Sequence, residues 1–497
     1  MKKIILALTI LTGFASCRTD YQPDSSMVFD GYWTTYEKVK ANHTGIYSAF
    51  RNYTNTLWRL GEVRSDIWGG KTVESPSDVN LTINNISPAN APFTNWAGFY
   101  TMILYLNDFI KNAPTVPGAN PNEMSQMMGA AHGLRAYIYF TMLKTYGDVQ
   151  IVTEPLQNVP DVSTLNKKRE SKQNVAALIK ADIAKSLEYY GNNNSFWEGS
   201  NVYWSRPATL ALKGEAYLFF GKVLGEGVAA YSEAKNALTQ ITGFSLAPTF
   251  SSLWGRDNEK NKEFIFAVDY QKDQANNFFP SITIGPGKDL NPLFDKDGNS
   301  LKAIVLNGGN RYGPTEKIIK LFHNDPADTR GAATFMFLYP DNKVYPTYDA
   351  AKYRAAILTK FFGEVSDGTR QSFENYPIYR YADVLLMIAE AKNQLGESPA
   401  SEINQIRKRA YGAAAVEYVN GSKDANTKAI LDERLKEFVG EGKRWWDLQR
   451  AGDNWMFQEV PTMNTAPIAG NPKKIYLPIS QGMIDMDPNN LTQTDGY

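Results

Sequence analysis

Cysteine is almost missing from this chain: Cys17 is its one example in 497 residues. An intrachain disulfide, a cysteine metal cluster and a buried catalytic thiol are therefore excluded. Histidine is nearly as scarce. His43, His132 and His323 lie far apart and form no HExxH pattern, so a zinc site has no motif behind it. Charge of one sign is not in excess either, with Lys+Arg and Asp+Glu at 52 each, and a broad basic field for nucleic acid is absent. There is no GxSxG elbow and no Walker loop. The run Gly308-Gly309-Asn310-Arg311-Tyr312-Gly313 has the wrong spacing for a dinucleotide loop. Asp295-Lys296-Asp297-Gly298-Asn299 opens like a calcium loop but lacks the spaced final Glu, so a plain turn is expected. No cofactor or metal is expected.

Aromatic residues are what the chain has in plenty, with ten tryptophans and 28 tyrosines. Some of these rings are expected to line a surface that stacks on a ligand. The length is ample for a sizeable core. At the start, Lys2 and Lys3 precede an apolar run over 4–11, and small residues lead to Cys17. That pattern reads as a signal peptide over residues 1–16, with Cys17 placed like the acylated cysteine of a bacterial lipobox. Residues 17–31 are polar and read as a lipidated tether, and 32–497 as a single body. No later run is apolar enough to span a bilayer.

Helical periodicity recurs over 32–51, 96–110, 122–146 and 171–190, and again in a pair over 206–220 and 228–241. Ala208, Ala211, Ala216, Tyr217 and Ala234 supply the small and aromatic surfaces by which paired helices interlock, as in tetratricopeptide-like arrays. A second group fills 376–450. Tyr381, Val384, Leu385, Ile388, Ala391 and Leu395 mark one helix, with Pro377 near its start, and Ile403 and Ile406 mark the next. A last helix spaces Glu433, Glu437 and Glu441 four apart, with Arg434 and Arg444 in reach, which reads as a solvated or salt-bridged face. Between these groups the signal thins. The parts near 61–95 and 243–375 are loop-rich, and Phe264 to Val268 is a strand. The fold class is mainly α: a tetratricopeptide-like helical scaffold, with helical pairs mainly in 122–241 and 376–450, carrying a loop-rich ligand-binding half with short strands.

Several segments together resemble the SusD/RagB family of Bacteroidetes surface lipoproteins. They are LRAYIYFTMLKTYGDVQIVTEP (134–155), RPATLALKGEAYLFFGK (206–222), EFIFAVDY (263–270), YPIYRYADVLLMIAEAKNQLGE (376–397), INQIRKRA (403–410), ERLKEFVGEGKRWWDLQR (433–450) and the tail from IYLPI to NNLTQTDGY (475–497). They keep the family's order and, with the lipobox, span most of the mature chain. The resemblance implies helix pairs packed on a less regular ligand-binding half and a lipid-anchored, surface-exposed position on the outer membrane. It also implies a SusC-like TonB-dependent transporter as partner, over which the protein closes as a lid, and no enzymatic activity. The implied cargo is oligosaccharide, with peptide as the alternative. A surface hydrolase of glycans is the alternative of another class, and a purely structural member of the surface complex is a third.

An extended polar ligand needs flat faces to stack on and a few directed polar groups. Loop rings beside Asn, Asp or Arg meet that need. The ligand-binding candidates are Asp66 and Trp68 in SDIWGG, Asn95 and Trp96 in TNW, Phe278 and Phe279 in NNFFP, and Asn310, Arg311 and Tyr312 in GGNRYG. Trp68 is expected to be exposed, whereas Trp96 is balanced between ligand face and first core residue of its helix.

Overall fold

The structure, a computed structural model, describes residues 32–90, 92–156, 166–465 and 468–497. The expected signal peptide, Cys17 and the whole of the tether fall outside the described residues. The first half is a run of helices: α1 (Tyr36–Arg51), α2 (Ala97–Asn112), α3 (Pro121–Tyr146), α4 (Lys172–Tyr190), α5 (Arg206–Val223) and α6 (Gly227–Thr239). Local chemistry sets their ends. The Asn120 side chain accepts from the backbone of Asn122 and Glu123 to start α3 with Pro121 in its first turn, and Gly147 at φ 74° stops it. Ser171 and Ser205 cap α4 and α5 in the same way.

Consecutive helices pack face to face from α1 through α6. Small residues make the approach possible. A Cβ on Gly133 would lie 2.1 Å from the Trp204 indole nitrogen, and one on Gly214 only 2.4 Å from Leu238, so the ring and the leucine occupy the space a side chain would need. Ala208, Ala211, Ala216 and Ala234 are fully buried between these helices.

The chain then leaves the helical array. It forms β1 (Phe264–Val268), β2 (Phe294–Asp295), α7 (Glu316–His323), β3 (Phe335–Tyr339), β4 (Ala355–Leu358), β5 (Glu364–Ser366), β6 (Thr369–Gln371) and β7 (Tyr376–Arg380). Strand β1 pairs antiparallel with β7, which clasps the two ends of this insert together; β2-β3-β4 and β5-β6 are separate small antiparallel sheets. The expected turn at Asp295 is present, with its side chain accepting from the backbone of Asp297 and Asn299. The array resumes with α8 (Tyr381–Gln394), α9 (Ala400–Tyr411), α10 (Lys423–Phe438) and α11 (Arg444–Ala451). Helix α6 packs directly on α8 and α5 on α11, so the insert interrupts one continuous stack.

Two boundaries differ from the sequence reading. Pro377 lies in a strand, opposite Ala267 on a two-stranded ribbon where a missing N–H is tolerated, and the helix starts only at Tyr381. The carboxylate row is also broken: α10 ends at Phe438, and Gly440 and Gly442, with φ of 85° and 69°, turn the chain before α11.

The row is salt-bridged, and it is interior rather than solvated. Arg380 donates to Glu441 at 2.8 Å, Lys360 donates to the same carboxylate at 2.7 Å, and Arg330 donates to Glu433 at 2.9 Å. Arg409 reaches Glu437 and Glu263. Burial opposes the charge on Glu437, but Arg409, Arg380 and Arg330 override it and hold the carboxyl down to about 2. Since Lys360, Arg330 and Glu263 belong to the insert, this network joins insert to array. Each of the three carboxylates in the row is held by at least one cation.

Candidate ligand-binding site

Three of the four loops nominated for ligand contact converge, but as core. Trp58 stands at the centre, with Trp68, Tyr312, Phe278 and Phe279 around it at ring separations of 5.8, 5.0, 5.7 and 5.4 Å. Trp68 was expected to be exposed and is only 1% so; its indole N–H donates to Glu62 at 2.8 Å. The physical reason is a close crossing of two backbones. Gly69 and Gly70 both donate to the Gly313 carbonyl, and Thr315 donates to that of Ile67. A Cβ on Gly70 would fall 1.8 Å from the Pro314 oxygen. The glycines that look like a ligand-facing loop are there to let the chain press against itself.

Most of the other nominations follow suit. Asp66 is buried in a fork with Arg444, both contacts 2.9 Å, and Lys317 joins it; these cations outweigh burial and hold its carboxyl at about 2. Asn310 is fully buried, donating to the Ala356 carbonyl at 2.9 Å and accepting from Val73. Tyr312 is buried with its hydroxyl donating to Asp78 at 2.6 Å, and Phe279 stacks on Phe361 at 4.4 Å. Trp96 packs edge-on to Tyr146 as a core residue. As open faces, Trp68, Trp96, Phe279 and Tyr312 are thus corrected, and so are Asp66 and Asn310 as free polar groups. Asn95 and Arg311 remain exposed, and Phe278 is half-buried. Asn95 spends its side-chain oxygen on the Ala97 N–H at the start of α2.

An open cleft of about 350 Å³ lies elsewhere, where α1 meets the end of β1. Thr44, Tyr47, Ser48 and Arg51 line one wall, and their spacing puts them on one face of α1. Tyr203 and Val202 form a second wall, and Asp269, Gln271 and Gln274 a third. The sheet fixes Asp269: the β1–β7 ladder ends at Val268 opposite Tyr376, and Tyr270 N–H is then held by the Asn375 side chain at 2.8 Å. A turn closed by Gln271 follows, with Ala275 donating back to it at 3.1 Å.

The groups in this cleft are partly unsatisfied. Arg51 approaches Asp269 at 3.6 Å, beyond good hydrogen-bond distance, and its Nε has no hydrogen-bond partner among the described residues. Its guanidinium lies over the Tyr270 ring at 5.7 Å. Gln271 donates to Asp269 at 3.0 Å and Gln274 donates to Gln271 at 3.2 Å, giving a chain of amides on the rim. Tyr47 and Tyr203 meet edge to face at 4.9 Å, both half-buried. Tyr47 accepts from the Trp204 N–H at 3.0 Å, which holds its ring. Half-open rings beside a guanidinium, a carboxylate and amides suit a polyhydroxylated ligand with one flat face. Asp269 is the single carboxylate in the lining. A signal for this site exists in the sequence as the mixed stripe Thr44, Tyr47, Ser48, Arg51 and as an acid directly after a strand, but polar helix faces are commonplace.

Comparison with known proteins fits this architecture. Residues 337–497 match the model described as the SusD family, and 19–218 one described as "Starch-binding associating with outer membrane". SusD-like protein P38 of Formosa agariphila is 27% identical over 485 residues, covering 90% of each chain. The starch-binding protein SusD of Bacteroides thetaiotaomicron is 31% identical over 151 residues, 28% of this chain and 26% of its own. The solved structure of B. fragilis NanU superposes with a TM-score of 0.85 at 30% identity, covering 96% of this chain and 99% of that one. Stacked helices, a strand-clasped insert and these matches over nearly the full length agree: the chain belongs to the SusD/RagB-like family.

Proposed function

We propose that this protein binds oligosaccharides at the bacterial outer membrane, without catalysis, and passes them to a SusC-like TonB-dependent transporter that it covers as a lid. The cleft carries the reading. Arg51, Asp269 and the two rim glutamines offer donors and acceptors to vicinal hydroxyls, while Tyr47 and Tyr203 offer ring surface. The starch-binding family model and the starch-binding relative support saccharide over other cargo. Glycoside hydrolysis needs two placed carboxylates, and the cleft has Asp269 alone. Acylation of Cys17 would supply the anchor; no helix among the described residues is long and apolar enough to cross a membrane.

The test is calorimetry of the purified protein against neutral oligosaccharides and against peptides, with chromatography of each mixture afterwards. Saccharide binding with intact sugar is the expected result. Peptide binding alone, or cleaved sugar, overturns the proposal.

A further inference from the structure

A second opening lies between the ends of α4, α5 and α11 and the segment 472–476, with a volume of about 580 Å³. It shares no lining residue with the cleft at Arg51. Trp455 stands in its wall, half-buried. Of the ten tryptophans, it alone has neither an aromatic neighbour nor a cation over its face among the described residues. Part of this indole packs against the core, and the part left at the groove edge is surface available for stacking.

Three lysines line that groove, and two of them have no carboxylate partner among the described residues. Lys172 lies over the Tyr476 ring at 5.0 Å and has no carboxylate partner among the described residues. Lys222 has none either. It crosses Gly452, where a Cβ would come within 2.6 Å of its Cε and where φ is 112°. A glycine at that helix junction leaves the path clear for the lysine stem. Lys473 is also in the wall but is paired with Asp495 at 2.9 Å. Asp424 and Asp453 stand on the same walls and can only accept hydrogen bonds. On the inner side Gln449, 4% exposed, donates to the Lys144 carbonyl while its Oε1 has no partner. The groove thus combines a flat ring, two unpaired ammonium groups and acceptors for hydroxyls.

We infer that this groove is a second saccharide site, and that it takes an acidic pyranose. The sugar's C–H face stacks on Trp455, its carboxylate lies between Lys172 and Lys222, and its hydroxyls donate to Asp453 or Asp424. A neutral sugar would bring no carboxylate to either ammonium group.

The probe is trigalacturonate, with maltotriose as the neutral control, titrated into the full protein at low salt. Trigalacturonate binding is expected to weaken at least about tenfold in Trp455→Ala and in Lys222→Gln, with an unchanged melting temperature. It is expected to stay within about twofold of the parent in Asp269→Ala, which alters only the first cleft. Raising the salt should weaken it as well. No binding of trigalacturonate, loss in Asp269→Ala alone, or indifference to both Trp455→Ala and Lys222→Gln overturns the inference. Because Asp269→Ala belongs to the first cleft, failure here is distinguishable from failure there.

Discussion

Arg51 and Asp269 face each other across 3.6 Å, close enough for attraction and too far for a direct hydrogen bond. They come from parts of the chain more than two hundred residues apart, one from the last turn of α1 and one from the residue after β1. A pair held at that spacing keeps free valences for a ligand, whereas the forks at Asp66 or Arg380 are closed by protein. The distinction between open and closed polar groups separates this cleft from the buried networks at Asp66 and Arg380.

Trp68→Ala tests the finding that the SDIWGG loop is core. Removing a fully buried indole leaves a cavity and orphans part of the Glu62 site, and the expected loss is about 3–5 kcal/mol of stability. Chemical denaturation measures it. A stability unchanged from the parent would restore the loop to the surface.

Arg380→Met tests the ionic joint between insert and array. The substitution keeps much of the volume but removes the cation from Glu441, Glu437 and Glu263, all fully buried. Breaking one side of such a network costs about 3–5 kcal/mol, and urea unfolding should report that loss.

Glu374 gives the pH dependence a definite sign. Burial raises its carboxyl from about 4.5 to about 7, although Ser372 at 2.8 Å and the Gly363 N–H at 3.1 Å both donate to it. The proton is held more tightly in the folded state, so this contribution to stability is full below about 4.5 and is lost as pH rises through about 7. Glu374→Gln keeps an acceptor for both donors and cannot ionise. Its stability curve is expected to be flatter between those pH values, by a difference on the order of 2 kcal/mol, measured by unfolding at a series of pH values.

Much of the scaffold was legible because its signals are local. Helices α3 to α6 announce themselves by the spacing of their apolar residues, and the structure adds the capping side chains of Asn120, Ser171 and Ser205. The clasp of β1 with β7 was not legible, since nothing near Phe264 says that its partner is Arg380. The same limit explains the rings. Trp68 and Tyr312 sit among glycines in sequence, and only the crossing of residues 69–70 with 313–314 decides that these glycines serve close packing. The Glu433, Glu437 and Glu441 row could be read as salt-bridged but not as interior, because its partners come from Arg330, Lys360 and Arg380 in distant segments.

The most direct test of the cleft is the affinity of Tyr203→Ala and of Asp269→Ala for the oligosaccharide found by the binding screen, measured by calorimetry alongside thermal unfolding. Each is expected to bind at least about tenfold more weakly while melting within about 2 °C of the parent, since both side chains are only partly buried and line open space. Affinities within about twofold of the parent for both variants would contradict the account and place the saccharide elsewhere on the protein.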